Sequence, residues 1–136
     1  MLTSDTPCPC GSGHVYQDCC APFHHQLQIP ADPQALMRSR FSAFALNLLP
    51  YLRITWHPTT CPDDLTLDDN PDWLALEIVT SGIRKYPRHN EGYVHFRATC
   101  KDAQGDTCLL EERSRFVREN GRWLYLDGEN SFTKLS

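Results

Sequence analysis

Three features of the sequence predict an α+β fold, a cysteine-dense N-terminal knuckle followed by a long helix packed on a curved four-stranded antiparallel sheet. Cys8, Cys10, Cys19 and Cys20 crowd together near the N-terminus. An apolar stripe of helical period follows between residues 33 and 48. After residue 72 the period falls to two, and turn-forming residues interrupt it three times. Helices first and strands afterwards mark α+β rather than alternating α/β.

The chain has 136 residues, of which 40% are hydrophobic and 22% charged. That is enough apolar material for one buried core, and it excludes global disorder. The expected division is a knuckle at residues 1–26 and a main domain at 27–136. A formal charge of −4 lacks the basic footprint that nucleic-acid binding requires. No apolar run approaches the ~18 residues of a membrane span. Residues 1–30 contain no Lys or Arg and no apolar segment of signal-peptide type. A cytoplasmic protein with neither a membrane nor a nucleic-acid partner is expected. In a reducing compartment, clustered cysteines point to metal before disulfides.

The knuckle has the spacing C-x-C-x8-C-C. Two thiolates on a Pro/Gly turn and two on a facing segment can close a tetrahedron around one soft cation. Pro9 fixes its φ, Gly11 and Gly13 permit a tight curl, and Ser12 can hydrogen-bond a sulfur. The vicinal pair Cys19-Cys20 and the single residue between Cys8 and Cys10 disfavour disulfides. Zinc is the expected metal, and iron is the alternative that four thiolates also suit. Such a segment has too little apolar surface to order itself, so metal binding supplies much of its folding free energy. His24 and His25 follow closely and either could replace a cysteine as ligand, but with four thiolates present both are expected to be solvent-exposed. With no Lys or Arg nearby in the sequence, a four-thiolate zinc keeps its negative charge, which argues against phosphate or anionic lipid.

Residues 27–31 read as a linker. Asp32 is a good N-cap and Pro33 a good first helical residue. Leu36, Met37, Phe41, Phe44 and Leu48 form the apolar stripe, and Pro50 is expected to end the helix. Arg40 lies at the edge of that stripe. It either snorkels to solvent or faces an internal carboxylate or anionic ligand. Residues 51–58 read as a short helix stopped by Pro58, with His57 near its end as a structural group or an acid–base. Residues 59–72 carry Asp63, Asp64, Asp68, Asp69 and Asp72 without an EF-hand pattern, and read as a solvated loop.

Four strands follow. In the first, at 73–85, alternation puts Leu74, Leu76 and Ile78 on one face. The second, at 93–100, puts Val94, Phe96, Ala98 and Cys100 on one face and Tyr93, His95, Arg97 and Thr99 on the other. The third, at 107–118, aligns Leu110, Glu112, Ser114 and Phe116. A buried Glu112 needs a partner, and Arg40 on the covering helix is the expected one. The pair is either a structural ion pair or the floor of a ligand pocket. Asn120-Gly121 is a strong hairpin signal, and the last strand, at 122–127, puts Trp123, Tyr125 and Asp127 on one face. Trp123 and Tyr125 read as core. Cys100 and Cys108 should face each other as reduced, buried thiols, while Cys61 sits in a loop as a free, reactive one.

The run from Cys8 to Cys20 resembles the SEC-C motif, the small zinc knuckle at the C-terminus of the SecA translocation ATPase and in several smaller bacterial proteins. The resemblance implies Cys8, Cys10, Cys19 and Cys20 as zinc ligands. Where that motif commonly has lysines, this chain has His14, Gln17 and Asp18. Leu36-Met37-Arg38-Ser39-Arg40-Phe41-Ser42-Ala43-Phe44, Thr55-Trp56-His57-Pro58, Glu112-Arg113-Ser114-Arg115-Phe116, Asn120-Gly121-Arg122-Trp123 and Asp127-Gly128 resemble the YchJ family. That implies a SEC-C knuckle joined to a cystatin-like cone of the nuclear transport factor 2 and ketosteroid isomerase type, with no catalytic residue to assign. Some members repeat the knuckle at the C-terminus, and a single metal site is expected here.

Two functions are compatible with these residues. The first is a metal-stabilised interaction or adaptor protein. By resemblance to related knuckles, its protein partner would be the secretion chaperone SecB or the ribosome. The alternative is a small-ligand binder or enzyme whose cone gathers Arg40, His57, Glu112, Tyr125 and Asp127 as acids, bases and an anion site.

Overall fold

A meander of four strands carries the main domain in the computed structural model, which describes residues 5–135. Strands β1 (Asp72–Ile83), β2 (Glu91–Lys101), β3 (Thr107–Glu119) and β4 (Arg122–Lys134) pair antiparallel in chain order. Asn120 and Gly121 take φ of 52° and 79°, the left-handed values that a two-residue hairpin turn requires, and Glu119 lies opposite Arg122. Cys100 stands opposite Cys108 across β2 and β3, and both are free thiols, Cys100 buried and Cys108 half-buried.

Among the described residues, three α-helices precede the sheet, namely α1 (Ala21–His24), α2 (Pro33–Ala45) and α3 (Leu49–Ile54). Asp32 caps α2 by accepting from the Ala35 amide at 2.8 Å. Leu36, Met37 and Phe41 are buried against Val94, Phe96, Ala98, Phe116 and Trp123 of the sheet. Phe44 and Leu48 leave this core and pack with Ala43, Tyr51 and Leu52 instead. The helix also ends earlier than Pro50. Asn47 turns the chain at φ 59°, and Pro50 sits in the first turn of α3, where its missing N–H costs nothing.

Three register shifts, two on β1 and one on β4, change which residues face the core. On β1 the register shifts between Trp73 and Ala75 and again between Ile78 and Thr80. Trp73, Leu76 and Ile78 therefore face inward together, while Leu74, which strict alternation puts beside Leu76, is 54% exposed. On β4 Arg115 pairs with Asp127 while Phe116 pairs with Tyr125, so Leu126 is the extra residue. Trp123 and Tyr125 stay inside, but Asp127 is turned to the outer face. β4 also runs to Lys134, well past residue 127, which brings Gly128 opposite Ser114 and Asn130 opposite Glu112 on the inner face. Such bulges bend a strand and increase its local twist.

The end of α3 is fastened to this bend. The His57 amide donates to the Tyr125 carbonyl and the Tyr125 amide to the Thr55 carbonyl, each at 2.8 Å. This parallel bridge holds Trp56 against Tyr125, with ring centroids 5.1 Å apart.

Candidate functional site

The knuckle is built from backbone before any side chain matters. Pro7 bridges Val15, the Cys8 amide donates to the His14 carbonyl at 3.0 Å, and the Tyr16 amide donates to Thr6 at 2.8 Å. Gly11 and Gly13, at φ 77° and 91°, let the chain reverse between these contacts. A 3₁₀ turn at Tyr16–Asp18 then swings Cys19 and Cys20 back to face Cys8 and Cys10.

All four Sγ atoms lie within 4.8 Å of one another. Cys10 is 3.6 Å from Cys19, and Cys19 is 3.9 Å from Cys20. A tetrahedron with metal–sulfur bonds of about 2.3 Å has sulfur–sulfur edges of about 3.8 Å. The donor set therefore fits one tetrahedral metal ion, and the sulfurs are too far apart for disulfides. Cys8, Cys10 and Cys20 are buried. Cys20 and Cys8 hydrogen-bond the Cys10 sulfur and hold its pKa well below the thiol range, and burial pushes Cys19 up to about 11. Binding of a cation by these sulfurs would displace the thiol protons.

The rest of the chain reaches this cluster from α2. The Ser42 hydroxyl lies 3.3 Å from the Cys20 sulfur and 3.4 Å from Cys8, and Ser12 lies 3.1 Å from Cys19. Arg38 donates to the Cys10 carbonyl at 2.9 Å. A cation does therefore stand beside the knuckle, contrary to the expectation from local sequence, because α2 supplies it from 28 residues away. His24 also departs from expectation. It is half-buried, its Nε2–H donates to the Ser39 carbonyl at 2.8 Å, and its Nδ1 accepts from the Tyr16 hydroxyl at 2.6 Å. A carbonyl only accepts, which fixes this neutral tautomer. Burial lowers the His24 pKa. The imidazole clips the knuckle to α2, while His25 is exposed.

The second assembly of functional side chains is a cavity of about 330 Å³ between α2 and the sheet. Phe41, Phe44, Trp56, Trp73 and Phe96 contribute aromatic walls, and Arg40, Glu112, Tyr125 and Asn130 contribute polar groups. Arg40 is 2% exposed. Its Nη1 donates to the Leu52 carbonyl at 2.9 Å and to Thr55 Oγ1 at 2.6 Å. Its guanidinium carbon lies 5.0 Å from the Trp56 ring centroid and 4.7 Å from that of Tyr125. Burial lowers its pKa to about 10, which leaves it charged at neutral pH.

Arg40 and Glu112 do not form the direct pair expected from sequence. Glu112 is saturated by its neighbours instead, accepting from Ser114 at 2.5 Å, Tyr125 at 3.0 Å and Asn130 at 3.1 Å. Tyr125 stands between the two charges, its ring against the guanidinium and its hydroxyl on the carboxylate. Burial and then the Glu112 charge raise the pKa of that hydroxyl.

The cavity thus gathers Arg40, Glu112 and Tyr125, but not His57 or Asp127. The backbone bridge to Tyr125 points Trp56 inward, and His57 instead pairs with Glu119 and Thr59, each at 2.7 Å. The Leu126 bulge sends Asp127 outward to a two-pronged pair with Arg115 at 2.6 and 2.7 Å. Trp56, the neighbour of His57 in the chain, lines the cavity without any sequence signal that singles it out. Asn130 also lines it, from past the expected end of the strand. The role of Ser114 was foreshadowed by its place on the Glu112 face. Cys61 is a half-buried free thiol whose sulfur lies 3.8 Å from the Pro62 carbonyl.

Comparison with known proteins places both parts in context. The family model described as YchJ, middle NTF2-like domain, matches residues 32–128, and the SEC-C motif matches residues 6–22. A UPF0225 protein of Deinococcus radiodurans is 45% identical over 121 residues, covering 89% of this chain and 87% of its own length. A UPF0225 protein of Cupriavidus metallidurans is 44% identical over 133 residues, covering 93% and 91%. The solution structure of a SEC-C motif containing protein from Rhodopseudomonas palustris superposes with a TM-score of 0.78 at 36% identity, covering 90% of this chain and 96% of that one. The crystal structure of a SEC-C motif containing protein from Psychrobacter arcticus gives 0.76 at 30% identity, covering 93% and 84%.

Proposed function

The chain belongs to the YchJ family, and on that premise we propose that it is a zinc-stabilised interaction protein whose knuckle docks on a protein partner. The observation that carries this reading is the approach of four buried or half-buried sulfurs to within 4.8 Å. Thiolates fill every position of a tetrahedron, so none is left for a water or a substrate. In that role zinc supplies cross-linking, not reaction chemistry. Cys8, Cys10, Cys19 and Cys20 hold it, Ser12 and Ser42 hydrogen-bond the sulfurs, and Arg38 sets a positive charge nearby.

The outer rim of the knuckle is exposed at Gly11, Gly13, His14, Gln17 and Asp18. A rim with an acidic group and no lysine suits a protein surface better than phosphate or anionic lipid. By resemblance to other SEC-C knuckles, the class of partner is a cytoplasmic secretion chaperone or the ribosome. The test is affinity capture from a bacterial lysate with the intact protein and with Cys19→Ser. The reading predicts a chaperone or ribosomal protein retained by the intact chain and lost with the variant. A partner retained equally by both would remove the knuckle from the interaction.

A further inference from the structure

The geometry points to a second site: the cavity between α2 and the sheet takes a small organic carboxylate with a flat apolar body, held by Arg40. This inference is independent of the metal reading.

A buried guanidinium needs acceptors for its five N–H groups. The two on Nη1 are spent on Leu52 and Thr55. The rings of Trp56 and Tyr125 lie against the group but accept no conventional hydrogen bond. Nε–H and both Nη2–H have no acceptor among the described residues. Those two nitrogens form the edge that matches the paired oxygens of a carboxylate. Among the described residues, the wholly enclosed and partnerless side-chain atoms are the indole nitrogens of Trp56 and Trp123. The free edge of Arg40 is not among them. It retains access to open space, and the space that Arg40 lines is the cavity.

Glu112 does not remove this demand. Three donors already hold its oxygens, and Tyr125 separates it from Arg40. The same facts disfavour a cationic ligand. Arg40 occupies the Trp56 and Tyr125 rings that would otherwise receive a cation, and it repels a second positive charge. Phe41, Phe44 and Trp73 line the remaining volume, and about 330 Å³ is the size of a site for a one- or two-ring molecule.

The experiment titrates the full metal-loaded chain with naphthalene-2-carboxylate, naphthalene-2-carboxamide and 2-(aminomethyl)naphthalene. It follows the Trp56 and Trp73 indole resonances by NMR together with tryptophan fluorescence. The carboxylate should shift both indoles and bind about tenfold or more tighter than the carboxamide, with the ammonium weakest. Arg40→Met should abolish the preference. Because that variant removes a core contact, Leu110→Trp provides a second test: it fills the cavity from its wall, leaves the Arg40 bonds in place, and should weaken carboxylate binding about tenfold or more. Glu112→Gln removes a like charge and should tighten the carboxylate. Equal binding of carboxylate and carboxamide, tighter binding of the ammonium, no indole shift with any probe, or an unchanged response in Leu110→Trp would each overturn the proposal.

Discussion

A Cβ on Gly128 would stand 2.6 Å from Oε2 of Glu112. That oxygen cannot move aside freely, because Ser114 and Tyr125 both hold it. Gly128→Ala should therefore destabilise the main domain by about 1–3 kcal/mol, measured by denaturant unfolding. In a Glu112→Ala background the same change should cost much less, and that coupling distinguishes a clash from a backbone effect. His24 gives a pH-dependent counterpart. Burial lowers its folded pKa, so the unfolded chain takes up the proton first as pH falls. The stability it contributes is complete above the unfolded value of about 6.5 and is lost as pH falls through the folded value. Protonation would also turn Nδ1 from acceptor to donor and reverse its bond with the Tyr16 hydroxyl. The difference in unfolding free energy between the wild type and His24→Gln should shrink from pH 8 to pH 5. A difference independent of pH would contradict the neutral tautomer. Single residues were only partly legible in the sequence. The anomaly of Arg40 and Glu112 on apolar faces was visible. Their separation by Tyr125 was not, because it depends on how α3 and β4 meet.

Helices and strands owe their legibility to period, and their errors to local exceptions to it. The stripe through Leu36, Met37 and Phe41 does face the sheet, and Asn120-Gly121 does make the hairpin. Leu74 and Asp127 were assigned to the wrong face because one inserted residue reverses alternation, and no propensity marks where a bulge falls. Pro50 starts α3 instead of stopping α2, since proline suits both places. Helix α2 also serves the knuckle, through Ser42. Its hydroxyl is wholly buried between two of the sulfurs. Ser42→Ala should weaken metal retention about 10–100-fold in a chelator competition, with a smaller effect on the unfolding of the main domain. Equal retention would show that Ser42 merely packs there.

At the scale of the whole molecule, knuckle and sheet domain were both readable from sequence, the first from cysteine spacing and the second from the change of period. Their junction was not. It rests on Arg38 reaching Cys10 and Ser42 reaching Cys8, contacts 28 and 34 residues apart in the chain. Few apolar residues besides the cysteines support the knuckle, chiefly Tyr16, Ala21 and Leu46. Stripping the metal should therefore disorder the knuckle and free its contacts with α2, while the sheet persists with its own core. Amide hydrogen exchange should show protection lost at Cys8, Tyr16 and Cys19 and kept in β2 and β3. Zinc binding by the four thiolates is tested most directly by the metal content of the chain purified without added metal, measured by elemental analysis and native mass spectrometry on the wild type and on Cys19→Ser. One zinc ion should be bound by the wild type and lost from the variant. A wild-type chain without metal, iron in place of zinc, or the same zinc content in Cys19→Ser would contradict zinc binding at this cluster.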